Sequence, residues 1–213
     1  HGALANLIAH FAAELAVTPD DATLWMTTFT FDISALELFL PLVSGGRLVI
    51  ATDDSRVDGA ALAELLKRHE VDIVQATPTT WRLVADAASD VLAGRRVLCG
   101  GEPMPVQLAR TLLDTGCELR NVYGPTETTI WSTSARLTAG LLRDDDTTAM
   151  VGIPLRNTQV FVAAPEGTEL PVNVSGELCI AGSGVAIGYH DRPELTADRF
   201  GEHPVYGRFY RTG

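Results

Sequence analysis

The chain has 213 residues, which is enough for one large domain or for one domain and a smaller companion. Its 46% hydrophobic and 20% charged residues are typical of a globular protein with a substantial core, and no apolar run approaches the length of a membrane span. The formal net charge of −11 argues against nucleic acid and anionic membranes as partners, because both are themselves negatively charged.

The cysteines indicate the cellular compartment of the protein, and the two chain ends indicate whether the sequence is part of a longer one. Cys99, Cys117 and Cys179 are odd in number and lack the spacing of metal ligands, so we interpret them as reduced core residues of a cytoplasmic protein. The first residues enter a helical pattern at once, and Arg211–Gly213 directly follow a strand-like run. Natural domains usually end in polar trailing segments, so the sequence favours a piece excised from a longer protein.

The first part of the chain contains helix and strand patterns. Helical spacing predicts an amphipathic first helix whose apolar face carries Leu4, Leu7, Ile8, Phe11 and Leu15. A strand is predicted over 23–27. Ser34 and Glu37 have the spacing of a capping box, which predicts the start of an apolar helix through Leu42.

From Arg47 onward strands and helices alternate. Asp58 is predicted to cap one helix and Thr77, followed by Pro78, the next. The alternation predicts an α/β fold, with a doubly wound, mainly parallel sheet and flanking helices over residues 1–139. A smaller β-rich subdomain is predicted over residues 140–213, because short strand patterns there lie among Gly, Pro and Asn. The predicted strands of the parallel sheet after Arg47 are 47–50, 71–75, 96–99 and 118–122.

Residues 121–131 combine several side chains that suit a nucleotide and its metal. The ring of Tyr123 can stack on a base, Gly124 admits a close approach, and Glu127, beside Thr126, can hold Mg2+ through oxygen. The alternative is an ordinary polar turn in which Glu127 is solvated. This stretch alone does not separate the two interpretations.

Strand ends should gather the site residues. Ligands of open parallel sheets bind beyond the carboxyl ends of the strands, which here carry Gln75, Gly100–Glu102 and Val122–Tyr123. Gly100 and Gly101 would present a wall without side chains opposite Tyr123, which suits a planar ring. Asp32 precedes the capping box among apolar neighbours, where a carboxylate needs a partner. It either accepts from backbone amides at the helix entrance or serves as counter-ion for a cationic substrate.

Several motifs together resemble one known family. The segments are Phe31–Ser34, Asn121–Glu127, Gly176–Gly182 and Tyr210–Gly213, and they occur in family order. In this they resemble the adenylation domain of nonribosomal peptide synthetases, in the adenylate-forming superfamily, over essentially the whole chain. The resemblance implies activation of an amino acid with ATP and Mg2+ to an aminoacyl-adenylate. The aminoacyl group would then be loaded onto the phosphopantetheine thiol of a peptidyl carrier protein.

The resemblance also assigns roles to residues. Tyr123 would stack on adenine with Gly100, Gly101 and Glu102 on the other side, and Asn121 would reach the exocyclic amine. Thr126 would touch the α-phosphate, Glu127 would hold Mg2+, and Asp32 would pair with the α-ammonium of the substrate. A half-buried carboxylate and an ammonium compensate each other's desolvation only when both are present.

The positions that line the family's substrate pocket resemble its pattern for glycine. Their bulk would fill the side-chain space, with Trp131 as the candidate plug. Glycine has to be selected by volume exclusion, because one methylene of contact is worth only about 1–3 kcal/mol. The alternative is that they are ordinary core residues. The pocket positions are Asp32, Ile33, Leu36, Gln75, Leu98, Gly100, Val122, Ile130 and Trp131.

The chain also departs from the family. Ile187 stands where the family usually has an arginine, so this loop is assigned no phosphate contact. The family's phosphate loop with its lysine, its ribose-binding aspartate and its mobile C-terminal subdomain lie outside the sequence. Because electrostatic stabilisation of the phosphoryl centre dominates such catalysis, the isolated chain is expected to be catalytically incomplete. Two alternatives remain at this point: a relative that activates acyl or aryl acids, and a non-catalytic specificity module.

Overall fold

A computed structural model describes residues 1–165 and 167–213, with the backbone alone for Asp86 and Ala88. The helices are Gly2–Glu14 (α1), Ser34–Ser44 (α2), Gly59–Arg68 (α3), Pro78–Leu92 (α4), Val106–Asp114 (α5) and Pro193–Arg199 (α6). The strands are Ala22–Trp25 (β1), Arg47–Ile50 (β2), Ile73–Ala76 (β3), Arg96–Gly100 (β4), Glu118–Tyr123 (β5), Thr133–Arg136 (β6), Ile153–Pro154 (β7), Thr158–Ala163 (β8), Glu177–Gly182 (β9), Phe200–His203 (β10) and Gly207–Arg211 (β11). In this described part of the chain, no helix combines the length and apolar character needed to cross a bilayer.

The chain divides into two compact units. The parallel unit comprises residues 11–123 and 134–153, and the antiparallel unit comprises residues 1–10, 124–133 and 154–213. The predicted boundary at residue 139 differs from this division, and local contacts give the reason. Leu142 and Ala149 belong to the main hydrophobic core of the parallel unit. In the antiparallel unit, Thr129 donates to the carbonyl of Gly184 at 2.7 Å.

The larger sheet has the strand order β2-β1-β3-β4-β5-β6-β7. Strands β1 to β5 pair in parallel. The order reverses between β1 and β3, so the chain winds outward in both directions from this point, which is a topological switch point. The second sheet is antiparallel, with the order β10-β11-β9-β8. The predicted α/β class, with a mainly parallel doubly wound sheet and a smaller β-rich part, is therefore confirmed.

Each unit has its own core. In the parallel unit, α3, α4 and α5 cover one face of the sheet, where Leu66, Trp81 and Leu112 pack against strand residues such as Val97. In the antiparallel unit, apolar side chains of β8, β9 and β11 form a smaller cluster around Phe161. The three cysteines are unpaired and buried, as predicted, and burial raises the pKa of Cys179 to about 11.

Two of the three predicted helix caps are confirmed. The carboxylate of Asp58 accepts from the amide of Ala60 at 2.8 Å, and the hydroxyl of Thr77 accepts from the amide of Thr80 at 3.3 Å. The predicted capping box at Ser34 is wrong. Ile33 takes the cap position of α2 without a side-chain cap, and Glu37 is buried and directed to other partners. The local pattern failed there because tertiary donors surround the Glu37 carboxylate.

Asp21 joins the loop before β1 to β4. Its carboxylate forms an ion pair with Arg96, and the two side chains are only 13% and 15% exposed. Burial alone would raise the pKa of Asp21, but hydrogen bonds from Arg96 and Thr18 outweigh burial and lower it below 3.8. The contribution of this carboxylate to stability is therefore present above pH 3.8 and is lost as the pH falls through the lower folded pKa.

Replacing Asp21 by Asn should lower the free energy of unfolding by about 1–3 kcal/mol at neutral pH, because Arg96 loses its charged partner. Urea unfolding of the 213-residue chain measures this difference. The difference in the free energy of unfolding between the wild type and the variant should become smaller below pH 3.8. The exposed neighbour Asp20, changed to Asn, is the control and should leave stability unchanged. A gap that does not change with pH would contradict the ion-pair explanation.

Candidate functional site

One face of the parallel sheet carries four of the nine predicted substrate residues. Gln75 on β3 lies beside Leu98 on β4, and Gly100 on β4 lies beside Val122 on β5. Because side chains alternate along a strand, these four positions share one face with Thr23 and Ile73. We call this the ligand face. It is opposite to the face that α3, α4 and α5 cover.

Helix α2 covers part of the ligand face. Ile33 and Leu36 are buried, and Leu36 packs over Gln75 and Leu98. The cavity left between α2 and these strands is about 10 Å³, which is room for about one water molecule. Leu36, Gln75 and Leu98, which line this cavity, therefore have little free space beside them.

Asp32 occupies the turn that leads into α2. Its side chain is partly exposed, and its carbonyl accepts from the amide of Ala35 at 3.0 Å. This turn lies at the end of the loop that connects β1, at the switch point, to α2. Asp32 belongs to the parallel unit with Ile33, Leu36, Gln75, Leu98, Gly100 and Val122.

The residues predicted for adenine lie at the ends of β4 and β5. Gly101 directly follows β4 and has φ of +85°, a conformation that residues with side chains rarely adopt. Because it has no side chain, it leaves the end of the strand uncovered. The carboxylate of Glu102 accepts from the hydroxyl of Thr79 at 2.6 Å. Tyr123 is the last residue of β5 and is half-buried. Gly101, Glu102 and Tyr123 thus lie at or just beyond the carboxyl ends of β4 and β5.

Asn121 is buried, and its side-chain nitrogen already makes hydrogen bonds within the protein. Its amide nitrogen donates to the carbonyl of Met150 at 2.8 Å and to that of Ala149 at 3.4 Å. Because carbonyls only accept, the nitrogen must face them, and the amide oxygen is the atom left to accept from a ligand. An exocyclic amine, such as that of adenine, is a donor of the matching kind.

The remaining predicted residues belong to the antiparallel unit. Gly124 begins a segment that folds back tightly, since a Cβ on Gly124 would lie 2.6 Å from the carbonyl oxygen of Ile130. Thr126 and Glu127 form a short 3-10 turn, and Ile130 and Trp131 after it are buried. The predicted substrate set is thus divided between the two units, with seven residues in one and two in the other.

The segment between Glu127 and Trp131 is strained. Thr129 and Ile130 have φ of 65° and 70°, and both are β-branched residues, for which positive φ is unfavourable. Such conformations cost about 1–3 kcal/mol each and gather at functional sites. The hydroxyl of Thr128 contacts that of Ser132 at 2.7 Å, which helps to hold the segment. No pattern in the sequence predicted this strain.

Glu127 has a partner that sequence reasoning missed. The hydroxyl of Tyr189 donates to one oxygen of the Glu127 carboxylate at 2.5 Å, and the side chain of Tyr210 also interacts with this carboxylate. Burial and this carboxylate raise the pKa of Tyr189, so its hydroxyl remains protonated. The amide of Ala186 also donates to the carbonyl of Glu127 at 2.8 Å.

A single oriented carboxylate suits Mg2+ in one particular mode. Within the described residues no group of three or more His, Cys, Asp or Glu side chains could hold a metal by itself. Mg2+ usually keeps several waters and binds through one or two carboxylates together with substrate phosphates. The donor set around Glu127 fits this mode and does not fit a cage made by protein alone.

Ile187, which replaces the family's usual arginine, is almost fully exposed. Its carbonyl accepts from Arg208 at 2.5 Å, and the same guanidinium donates to the carbonyl of Ala186 at 3.1 Å. An arginine of β11 therefore holds this loop through its backbone. The loop carries no cation at position 187 for a phosphate.

Two further polar side chains on the ligand side were not predicted. Arg120 is buried beside Leu98 and donates to the Glu14 carboxylate at 3.3 Å, which ties β5 to α1. Glu37 is buried between α2 and the sheet. Its position among apolar residues of a helix could have predicted its burial. A glutamate on a buried helix face needs hydrogen-bond donors from elsewhere in the fold.

Comparison with known proteins shows the family to which the chain belongs. The sequence model described as "AMP-binding enzyme" matches residues 1–190, so the chain belongs to this family. A dimodular nonribosomal peptide synthase of Bacillus subtilis is 44% identical over 99% of this chain, and the chain spans 9% of its length. Among the AMP-binding enzymes, the chain is thus an adenylation domain portion of the nonribosomal peptide synthetase type.

Solved structures agree with this assignment. A four-domain nonribosomal peptide synthetase, solved with AMP and glycine, superposes with a TM-score of 0.89 at 41% identity; the match covers 99% of this chain and 16% of that one. The N-terminal subdomain of NpsA from Klebsiella oxytoca, solved with a 3-hydroxybenzoyl-AMSN ligand, gives 0.87 at 27% identity, covering 100% of this chain and 55% of that one.

Proposed function

We propose that this chain is the substrate-recognition core of an adenylation domain that activates glycine with ATP. The ligand face carries the proposal, because large buried side chains occupy it and the space behind them is only about 10 Å³. Such a surface selects small substrates by volume exclusion. The relative that was solved with AMP and glycine, at 41% identity, supports the same choice.

In this proposal Asp32 pairs with the α-ammonium of the amino acid. The bulky residues Ile33, Leu36, Gln75, Leu98 and Val122 fill the space where a side chain would lie. Gly100 lets the substrate approach the backbone, and Ile130 and Trp131 complete the set, with Trp131 as the plug. The sheet end thus provides one charge for the amine and little room beyond the α-carbon.

The nucleotide is held by separate residues. Tyr123 stacks on adenine, the backbone of Gly100–Glu102 forms the other wall, and the amide oxygen of Asn121 accepts from the exocyclic amine. Gly124 lets the chain turn closely beside the nucleotide, and Thr126 contacts the α-phosphate. Glu127, oriented by Tyr189, is the Mg2+ ligand in this proposal. When bound, Mg2+ neutralises charge on the phosphate oxygens.

The reaction forms a bond between a carboxylate oxygen of glycine and the α-phosphorus and breaks the bond to pyrophosphate. No general base is required, because this carboxylate is already ionised at neutral pH. The residues of this chain bind and orient the two reactants. Such positioning contributes a large share of the reduction in activation free energy in phosphoryl-transfer reactions. The thiol of a phosphopantetheine group on a carrier protein then accepts the aminoacyl group as a thioester, the acyl–phosphate bond breaks, and AMP leaves.

Amino-acid-dependent pyrophosphate exchange tests the proposal in a complete adenylation domain that contains this chain. Glycine should give the highest kcat/KM, and alanine should be lower by about tenfold or more, because its methyl group meets the buried wall. Phenylalanine should give no exchange. Equal use of glycine and a large amino acid would overturn the assignment to glycine.

The isolated 213-residue chain is the matching control. It should catalyse no exchange, since the family's phosphate loop and mobile C-terminal subdomain are not part of this sequence. It should nevertheless fold, because each unit has its own core. Exchange catalysed by the isolated chain would show that these other parts are unnecessary, contrary to the proposal.

A further inference from the structure

Glu37 is a buried carboxylate to which the proposed reaction assigns no role. Its side chain lies on α2 and is 1% exposed. One oxygen accepts from the backbone amides of Met26 and Thr27, each at 2.9 Å. The other accepts from the hydroxyl of Thr27 at 2.6 Å and from the amide nitrogen of Gln75 at 2.9 Å. All the donors lie outside α2, so the carboxylate serves tertiary contacts only.

These contacts span the switch point of the sheet. Met26 and Thr27 follow the end of β1, whereas Gln75 lies on β3. The chain leaves these two neighbouring strands in opposite directions, which opens the crevice where doubly wound folds bind ligands. Glu37 therefore ties together both sides of this crevice from the helix that covers it.

The orientation of Gln75 follows from the same network. Its amide nitrogen donates to Glu37 and to the carbonyl of Ile33 at 2.9 Å. Both partners only accept, so a flipped amide would place oxygen against oxygen twice. The side chain is 3% exposed, and the cavity beside it is about 10 Å³. Gln75 is thereby held in one rotamer and one amide orientation.

We infer that Glu37 is a positioning residue for amino-acid selection, which fixes Gln75 and the loop after β1 so that the substrate wall stays rigid. Volume exclusion works only if the wall cannot move aside, because a mobile glutamine would admit a methyl group. The inference rests on the proposed function, in which Gln75 forms part of that wall. Glu37 itself touches neither substrate.

Changing Glu37 to Gln in a complete adenylation domain tests the inference. In either orientation the new NH2 group faces at least one N–H donor, so either Gln75 or the loop after β1 is released. The KM for glycine should rise about tenfold, the KM for ATP should change less than about twofold, and the preference for glycine over alanine should fall by about tenfold. Pyrophosphate exchange measures all three quantities.

A double-mutant cycle separates positioning from general damage. If Glu37 acts through Gln75, changing Glu37 to Gln in a Gln75→Met background should have no further effect on the glycine-to-alanine preference. Thr27→Val is the matched control, because it removes one donor to the same Glu37 oxygen, whereas Gln75 and the backbone amides that hold the loop after β1 keep their bonds to Glu37. It should reduce the melting temperature without changing that preference.

The outcomes are distinguishable. If the unchanged domain does not prefer glycine, the proposed function fails. If it prefers glycine and a folded Glu37→Gln variant keeps that preference, only the role of Glu37 is overturned. Should that variant not fold, Glu37→Asp retains the charge but shortens the side chain by one methylene, which separates the carboxylate from Gln75. A folded Glu37→Asp variant with unchanged preference would equally overturn the inference.

Discussion

Asp32→Ala in a complete adenylation domain is expected to reduce kcat/KM for glycine in pyrophosphate exchange by about 100-fold or more. The substrate ammonium would enter the site without its counter-ion, and loss of one member of a desolvated pair costs several kcal/mol. Because Asp32 lies in a turn and is partly exposed, the fold should not depend on its carboxylate. The KM for ATP should therefore stay within about twofold of wild type.

The same substitution discriminates between substrate classes. Enzymes that activate acyl or aryl acids have no ammonium to pair, so a carboxylate at position 32 would serve them only by accepting from the backbone at the entrance to α2. Intact glycine-dependent exchange after Asp32→Ala would favour that alternative. Asp32→Asn is the control for size, and it should be almost as impaired as the alanine variant, because the lost property is the charge.

Gly124→Ala is expected to destabilise the antiparallel unit by about 3 kcal/mol, as overpacking of a rigid site does. The new methyl carbon would lie 2.6 Å from the carbonyl oxygen of Ile130 and from the amide nitrogen of Ser132, and 2.7 Å from the Cα of Trp131. These are backbone atoms of a segment that is already strained and whose side chains are buried. They have little freedom to move away.

Urea unfolding of the 213-residue chain measures the loss. Gly140→Ala is the matched control, because a Cβ there meets no atom within 4 Å, and it should leave the unfolding midpoint within experimental error. In a complete domain, Gly124→Ala should also impair exchange, since the displaced segment carries Glu127. A Gly124→Ala chain as stable as the control would mean that the segment after Gly124 is not held as tightly as the structure describes.

Several features were predictable because they depend on residues close together in sequence. Asp58 and Thr77 cap their helices through amides two or three residues away, so the local pattern was sufficient. Strand and helix alternation predicted the parallel sheet, and the period of two along each strand places Gln75, Leu98 and Val122 on one face. The boundaries moved by a few residues, as for β3, which begins at Ile73.

Other features depend on residues far apart in sequence. The pair of Ser34 and Glu37 looked like a capping box, but 38 residues separate Glu37 from its partner Gln75. Only the packing of α2 on the sheet brings them together, and the buried amides there compete successfully with the helix end. Tyr189 likewise reaches Glu127 across 62 residues. No local pattern contains such contacts.

By itself the sequence determined the order of the elements, the family motifs and the strand positions from which the site residues extend. These follow from short-range periodicity and from the side-chain chemistry of each motif. Only the tertiary structure decided which carboxylates are buried and which donors satisfy them. It also forced Thr129 and Ile130 into strained conformations. The reason is that close packing brings distant backbone and side-chain groups together, and a buried polar group must then be satisfied by whatever neighbours the fold provides.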